Sequence, residues 1–326
     1  MKKTGKYRLT LAGLVLLALL LAALELLLGG VSLSIRELLD PENPVAHSIL
    51  TQIRIPRLIC AILSGCGLAL AGSQMQAVFR NPLADPHILG ITSGSGLGAA
   101  LAAAGALPFA TAGNLTIAAA ALAGAALASA GIVAVSVRFR GATMLLIFGV
   151  LLGFVCSALT MLTQYFSSEE SLKLYHSWVS GSFSASGWDG IVILAIAVAV
   201  GIVLAASNLK GLDIILFGDE FAKITGANVR LIRIKSLLSC CLMTAAITAF
   251  CGPIGFVGII APHITKTLLG TSVHRRLMIP VMLTGAVITM FADVITQCFG
   301  APLPVGCTVA LAGIPVIMWL LLGRHI

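Results

Sequence analysis

Apolar stretches close to the length of a membrane crossing recur from one end of this 326-residue chain to the other. A hydrocarbon core of roughly 30 Å takes about 20 helical residues per crossing. Inside it every backbone amide and carbonyl must be paired within the protein, so runs of this kind fold as a helical bundle and not as a barrel of alternating strands. Composition agrees: 59% of residues are apolar, 10% are charged and the mean hydropathy is +1.07, well outside the soluble globular range. Ten spans are expected, at 9–29, 56–79, 88–107, 115–137, 142–165, 190–207, 232–251, 254–269, 277–297 and 305–323. The fold class is an all-α integral membrane protein with one domain, 1–326. The longest intervening segments, 30–53, 166–189 and 208–230, suffice for short surface helices and not for a packed core.

Charge sets the orientation. Lys2, Lys3, Lys6 and Arg8 precede the first span, as they would in a signal peptide. The run from Leu9 to Leu28 is too long for an ordinary signal core, however, and no small-x-small cleavage site follows, so an anchor is expected. With the N-terminus inside, Arg80, Arg138, Arg140, Lys210, Lys223, Arg230, Arg233, Lys235, Lys266, Arg275, Arg276 and Arg324 also lie inside, and only Arg36, Arg54, Arg57 and Lys173 lie outside. That asymmetry fits ten crossings with both termini cytoplasmic. The net charge of +8 is thereby a matter of topology, and nucleic-acid binding gains nothing from it.

Small residues fill several spans: Gly65, Gly67 and Gly72; Gly94, Gly96 and Gly98; Gly124 with Ala120 and Ala128; Gly149 and Gly153. They predict close helix contacts. The run Ser93-Gly94-Ser95-Gly96-Leu97-Gly98 lacks the lysine of a phosphate loop and has no strand before it. Arg54-Ile55 leads to Pro86-His87-Ile88 much as Arg233-Ile234 leads to Pro262-His263-Ile264, and in the expected topology the two segments run in opposite senses, the pattern of an inverted repeat. None of the eight cysteines has metal-ligand spacing; most read as small buried residues, and Cys298 and Cys307 flank an outer loop.

Ionisable groups are scarce in the spans. Glu25 and Asp293 fall near outer ends, and no carboxylate lies at the expected midplane, where ion-coupled carriers hold their driving ion. Energy is therefore expected from elsewhere, with a neutral pathway drawn from Ser93, Ser95, Thr143, Thr160, Thr163 and Gln164. His87 and His263 follow prolines and read as structural, since no hydrolase motif accompanies them. The inner segment from Leu216 to Gly226 is unlike its surroundings. Gly218 and Gly226 bracket a short helix, Asp219 and Glu220 occupy its first turn, and Phe217, Phe221 and Ile224 offer an apolar face. An acidic first turn suits a protein pocket better than an anionic leaflet.

These residues resemble the FecCD family of ABC-transporter permeases, importers of iron-siderophores, haem and cobalamin. Arg54-Ile55-Pro56-Arg57 is similar to its R-x-P-R motif. The run from Gly72 to Pro86, with Gln76, Arg80, Asn81 and Pro82, is similar to its G-x-x-x-Q-x-x-x-R-N-P-L-A-x-P signature. Gly252-Pro253-Ile254-Gly255 with Pro262-His263, and Leu303-Pro304-Val305-Gly306, resemble later blocks. The resemblance implies a type II importer permease in the inner membrane of a bacterium or archaeon. It implies a homodimer, two cytoplasmic ATPase subunits, an extracytoplasmic binding protein and surrounding lipid as partners. No cofactor is expected in this chain; ATP and Mg belong to the ATPase, since no Walker motif occurs here. By the same resemblance Gly218, Asp219, Glu220, Phe221, Ala222 and Gly226 form the coupling helix that contacts the ATPase, Arg54 and Arg57 meet acidic residues of the binding protein, and Ala142 and Thr143 form the cytoplasmic gate. Gln297 stands where relatives often carry arginine and Pro302 where they often carry glutamate, so docking is expected to lean on Arg54 and Arg57 or to use Lys173. The expected cargo is a ferric siderophore, with haem or cobalamin as alternatives; an ion-coupled carrier and an intramembrane enzyme are the competing classes.

Overall fold

The computed structural model describes residues 2–29, 43–106, 114–138, 141–184, 187–298 and 303–322. Arg36, Arg140, Pro302 and Arg324, singled out above, lie outside them. The described residues form helices joined by turns and loops, with no strand among them. Helix α1 is Lys2–Leu27, and α2 runs unbroken through Pro44–Phe79 with one π turn at Leu50–Arg54. A 3-10 turn at Pro86–Leu89 leads into α3 (Ile91–Ala103), followed by α4 (Asn114–Arg138), α5 (Ala142–Tyr165), α6 (Glu169–Ser180) and α7 (Gly187–Ala206). Two short helices, α8 (Leu209–Ile215) and α9 (Asp219–Ile224), precede α10 (Val229–Cys251), α11 (Val257–Leu269), α12 (His274–Cys298) and α13 (Val305–Leu322).

Seven of these, α1, α2, α4, α5, α7, α10 and α12, are long and apolar enough to cross a membrane. Three expected crossings are shorter in their described portions: α3, α11 and α13. The spans placed at 88–107 and 254–269 are thus corrected. Each of α3 and α11 has 13 residues, a rise of about 20 Å, and each is preceded by irregular backbone. The reason is local. Asp85 caps the 3-10 turn by accepting from the His87 amide, Gly90 takes φ +77°, and Phe256 takes φ +69°, none of which a continuous helix accommodates. Hydropathy alone does not register such breaks, because Ile88, Leu89, Ile254 and Phe256 are themselves apolar.

The two breaks meet. His87 Nε2 donates to the Ile254 carbonyl at 2.8 Å, which leaves Nδ1 to accept from the Thr92 hydroxyl. Both ring nitrogens are used in joining the loops, in keeping with a structural histidine. Gln76 ties the same region together, donating to the Gly258 and Ile259 carbonyls and accepting from Lys266 Nζ at 2.8 Å. His263 is buried within α11 beyond Pro262.

Glycines let the core helices touch backbone to backbone. A Cβ on Gly65 would lie 2.4 Å from the Gly285 carbonyl oxygen, and one on Gly72 only 2.0 Å from that of Gly258. A Cβ on Gly94 would lie 2.8 Å from the Gly124 carbonyl oxygen, and one on Gly98 2.1 Å from that of Ala120. These contacts fix α2 against α12 and α11, and α3 against α4, as small-residue membrane interfaces do. Gly96 differs: its nearest neighbour is the Tyr175 hydroxyl, so it leaves room for α6 instead of a helix crossing. Helices α2 and α10 form the centre, while α1 and α5 expose most of their apolar surface.

Within the segment 166–189, expected on the outer side, the described residues of α6 and the turn after it pack against the end of α10. Ser168 caps α6, Trp178 Nε1 donates to the Ala249 carbonyl at 3.1 Å, and the Ser182 amide donates to the Cys251 carbonyl at 3.0 Å. At that point Gly252, with φ +77°, admits no side chain, since a Cβ would lie 2.6 Å from the Trp178 carbonyl oxygen. Cys298 and Cys307 are both free thiols and exposed.

Candidate functional site

Three groups of predicted residues are brought together. The first is the inner segment. Helix α9 begins after Gly218 at φ +111°, ends before Gly226 at φ +78°, and buries Ala222 beneath it. Phe217, Phe221 and Ile224 are exposed, the last at 85%, with Phe217 and Phe221 stacked at a tilt 5.4 Å apart. Pro82 and Leu83 are exposed on the neighbouring loop, whose turn is closed by Asn81 Oδ1 accepting from the Leu83 amide.

This foothold is tied to three long helices. Asp219 accepts from Arg233 of α10 at 2.6 Å and from Arg80, just beyond α2, at 3.5 Å. Asn208, at the start of α8, donates to the Ile232 carbonyl and to Ser236 of α10, both at 2.8 Å. Asp213 of α8 accepts from the backbone amide of His274 at 2.8 Å and contacts its ring at 2.7 Å, which caps α12. The two acids of the first turn therefore divide: Asp219 faces the bundle and holds the helix in place, and Glu220 faces outward, exposed. The sequence treats them alike.

The second group is the outer arginines, both of which are engaged within the protein. Neither presents a free outward charge. Arg54 is 5% exposed and donates to the Leu26 and Leu27 carbonyls, capping the C-terminal end of α1, where a cation is favoured by the helix dipole. Arg57 is bidentate on Asp293, with both N···O distances 2.7 Å, and adds a bond to Thr296. Gln297, the departure from the family pattern, donates to the same carboxylate at 2.9 Å. Glu25 lies beside them, 3% exposed, on a cavity of about 220 Å³ that Arg54, Arg57 and Gln297 also line. Burying Asp293 with Arg57 is tolerable because the two charges are paired and hydrogen-bonded to each other. Lys173, on α6, remains exposed.

The third group lines a cavity of about 310 Å³ between α3, α5 and α6, closed on one side by Pro253. Of the six predicted pathway residues, Ser93, Thr160 and Gln164 line it; Ser157, Tyr175 and Trp178 complete the wall, and no carboxylate or cation is among its lining residues. Tyr175 and Trp178 were missed because their partners come from other helices; the signal was an aromatic pair three residues apart on α6. Burial pushes the Tyr175 phenol above its ordinary value. The remaining predicted positions are elsewhere. Ser95 is fully buried in the bundle, Thr163 bonds to its own helix, and Thr143, with Ala142, begins α5 about 26 Å from Thr160 along the helix. Thr143 is exposed.

The comparisons with known proteins accord with this geometry. The sequence profile of the FecCD transport family matches residues 14–323. The hemin transport system permease protein HmuU of Yersinia pestis is 32% identical over 98% of this chain and 96% of its own length. The vitamin B12 import system permease protein BtuC of Citrobacter koseri is 34% identical over 83% of this chain and 82% of its own length. A solved structure of a metal-chelate type ABC transporter in an inward-facing conformation superposes with a TM-score of 0.86 at 30% identity, covering 96% of this chain and 98% of that one. This is a multi-pass protein of the inner membrane, a transport permease and not an enzyme, and it belongs to the FecCD family of ABC importers.

Proposed function

We propose that this chain is the membrane subunit of an importer driven by a separate ATPase that engages α9, and that its cargo is a ferric siderophore. The observation that carries the first part is the way α8 and α9 are fastened: an exposed apolar face of Phe217, Phe221 and Ile224 rides on a segment bonded to α10, to α12 and to Arg80 at the end of α2. A push on that face is transmitted to three core helices through short charged and hydrogen-bonded contacts, which deform less than lipid-facing side chains. Glu220 and Phe221 contact the ATPase, whereas Asp219 and Arg80 position the helix.

The cargo reading rests on the neutral wall of Ser93, Ser157, Thr160 and Gln164. It offers hydroxyl and amide partners to a bulky chelate without holding it tightly. Haem is the second reading, favoured by the hemin permease that aligns along nearly the whole chain; its carboxylates find no cation on this wall. Two copies of the chain form the pathway, meeting through the exposed apolar residues Met144, Ile147, Leu151 and Val155 of α5, so that Ala142 and Thr143 of each close the inner end. An extracytoplasmic binding protein docks on the outer side using Lys173, while Arg54 and Arg57 hold the outer ends of α1 and α12 rigid beneath it.

The test is uptake by the complete transporter in proteoliposomes, offered ferric siderophore, haem and cobalamin in turn. Glu220→Lys lowers ATPase association or coupling, and wild-type uptake by that variant removes the docking assignment. Preference for haem or cobalamin replaces the cargo.

A further inference from the structure

A cavity of about 380 Å³ opens at the inner ends of α4 and α10, beside α9. Its charged lining is Arg138, the last residue of α4, Lys223 of α9, and Arg230 and Arg233 in the first turns of α10, against the single carboxylate Asp219. Asp219 is already committed to Arg233 and Arg80. Arg138, Lys223 and Arg230 form no ion pair among the described residues, so three like charges converge on one concavity. All three side chains are exposed, so water screens their mutual repulsion, and an anion placed in the concavity meets three cationic donors. The polar end of the site is completed by Asn228, which caps α10, so the positive end of a 23-residue helix dipole also points at the cavity.

The position selects the anion. Val137, in the same wall, is exposed on the last turn of α4, a helix with only a third of its apolar window buried in the protein. Apolar surface therefore continues directly into a cluster of arginines at the level where a span leaves the hydrocarbon. An acyl chain along α4 brings its phosphate to Arg138 and Arg230. We infer that this cavity binds the phosphate of an anionic phospholipid headgroup, which bridges α4 and α10 and bears on α9 through Lys223. The shared chemistry is a phosphate ester anion; the lipid source follows from the apolar continuation, which a soluble phosphate does not use. The inference stands apart from the cargo and coupling assignments, since it is read by binding alone.

The experiment measures thermal stabilisation of the purified full-length chain, or of the assembled transporter, by phosphatidylglycerol against phosphatidylcholine in mixed micelles, with inorganic phosphate as a third arm. Phosphatidylglycerol is expected to bind more tightly than phosphatidylcholine. Each of Arg138→Gln and Arg230→Gln is expected to weaken it about fivefold, and the pair by more than tenfold. Arg275→Gln with Arg276→Gln removes two exposed inner cations outside the cavity and is expected to leave the preference intact. Equal stabilisation by both lipids, or equal loss in the Arg275/Arg276 variant, overturns the site. Full stabilisation by inorganic phosphate alone overturns the lipid assignment. If R138Q/R230Q keeps the lipid preference but loses ATPase binding in lipid-free detergent, the occupant is the ATPase and the inference fails.

Discussion

Removing one partner of the Arg57–Asp293 pair separates a structural role for Arg57 from a docking role. Asp293 is fully buried and receives both arms of the guanidinium at 2.7 Å, whereas the Arg57 side chain is 19% exposed. Breaking a buried pair by deleting one member costs about 3–5 kcal/mol. Arg57→Ala leaves the Asp293 carboxylate buried beside Glu25, with only Thr296 and Gln297 as donors, and belongs at the upper end, about 5 kcal/mol. Asp293→Ala leaves a partly solvated arginine and belongs nearer about 3 kcal/mol. Because the two share one interaction, the double variant costs less than their sum by at least about 2 kcal/mol. Thermal aggregation midpoints of the detergent-solubilised full chain rank the variants, with Arg57→Ala lowest and Asp293→Ala between it and wild type. Wild-type stability of Arg57→Ala, together with salt-dependent loss of binding-protein association, refutes the reasoning and restores the outward-facing role.

Two further perturbations probe other joints. Gly72→Leu forces a side chain into the Gly258 carbonyl, where even a Cβ sits 2.0 Å away, so α2 and α11 separate and the yield of folded protein in membranes falls several-fold, whereas Gly5→Leu, with open space around it, does not. Asp219→Asn keeps the shape of the α9 turn but removes the charge held by Arg233 and Arg80, a loss of about 1.5–3 kcal/mol of charge-assisted bonding. ATP hydrolysis by the assembled transporter then continues while uptake per ATP drops; unchanged coupling contradicts the positioning role.

Much of this was legible in the residues. Hydropathy located each long helix among the described residues, because lipid solubility is a property of composition and length alone, although α2 begins at Pro44 and not at 56. The glycines at 65, 72, 94, 98 and 124 announced backbone contacts, since little else explains so many unprotected backbones in apolar helices. The α9 turn followed from two glycines and two acids at helix-start positions. What escaped were choices made across the fold. Arg57 reads as a free outer cation until Asp293 is placed against it, and the two are 236 residues apart in the chain. The short lengths of α3 and α11 escaped because loops of Ile, Leu and Phe carry the same hydropathy as helix. The basic cavity escaped because positive-inside counting treats Arg138 and Arg230 as interchangeable members of one surface, whereas packing gathers them at a single point.

The central claim is that this permease takes its energy from a separate ATPase through α9 and has no ion-coupled drive of its own. Proteoliposomes containing the chain alone, under a proton or sodium gradient, are predicted to accumulate no cargo, while the same vesicles with the ATPase and binding protein accumulate it only when ATP is inside the compartment the ATPase faces. Gradient-driven accumulation by the chain alone contradicts the account.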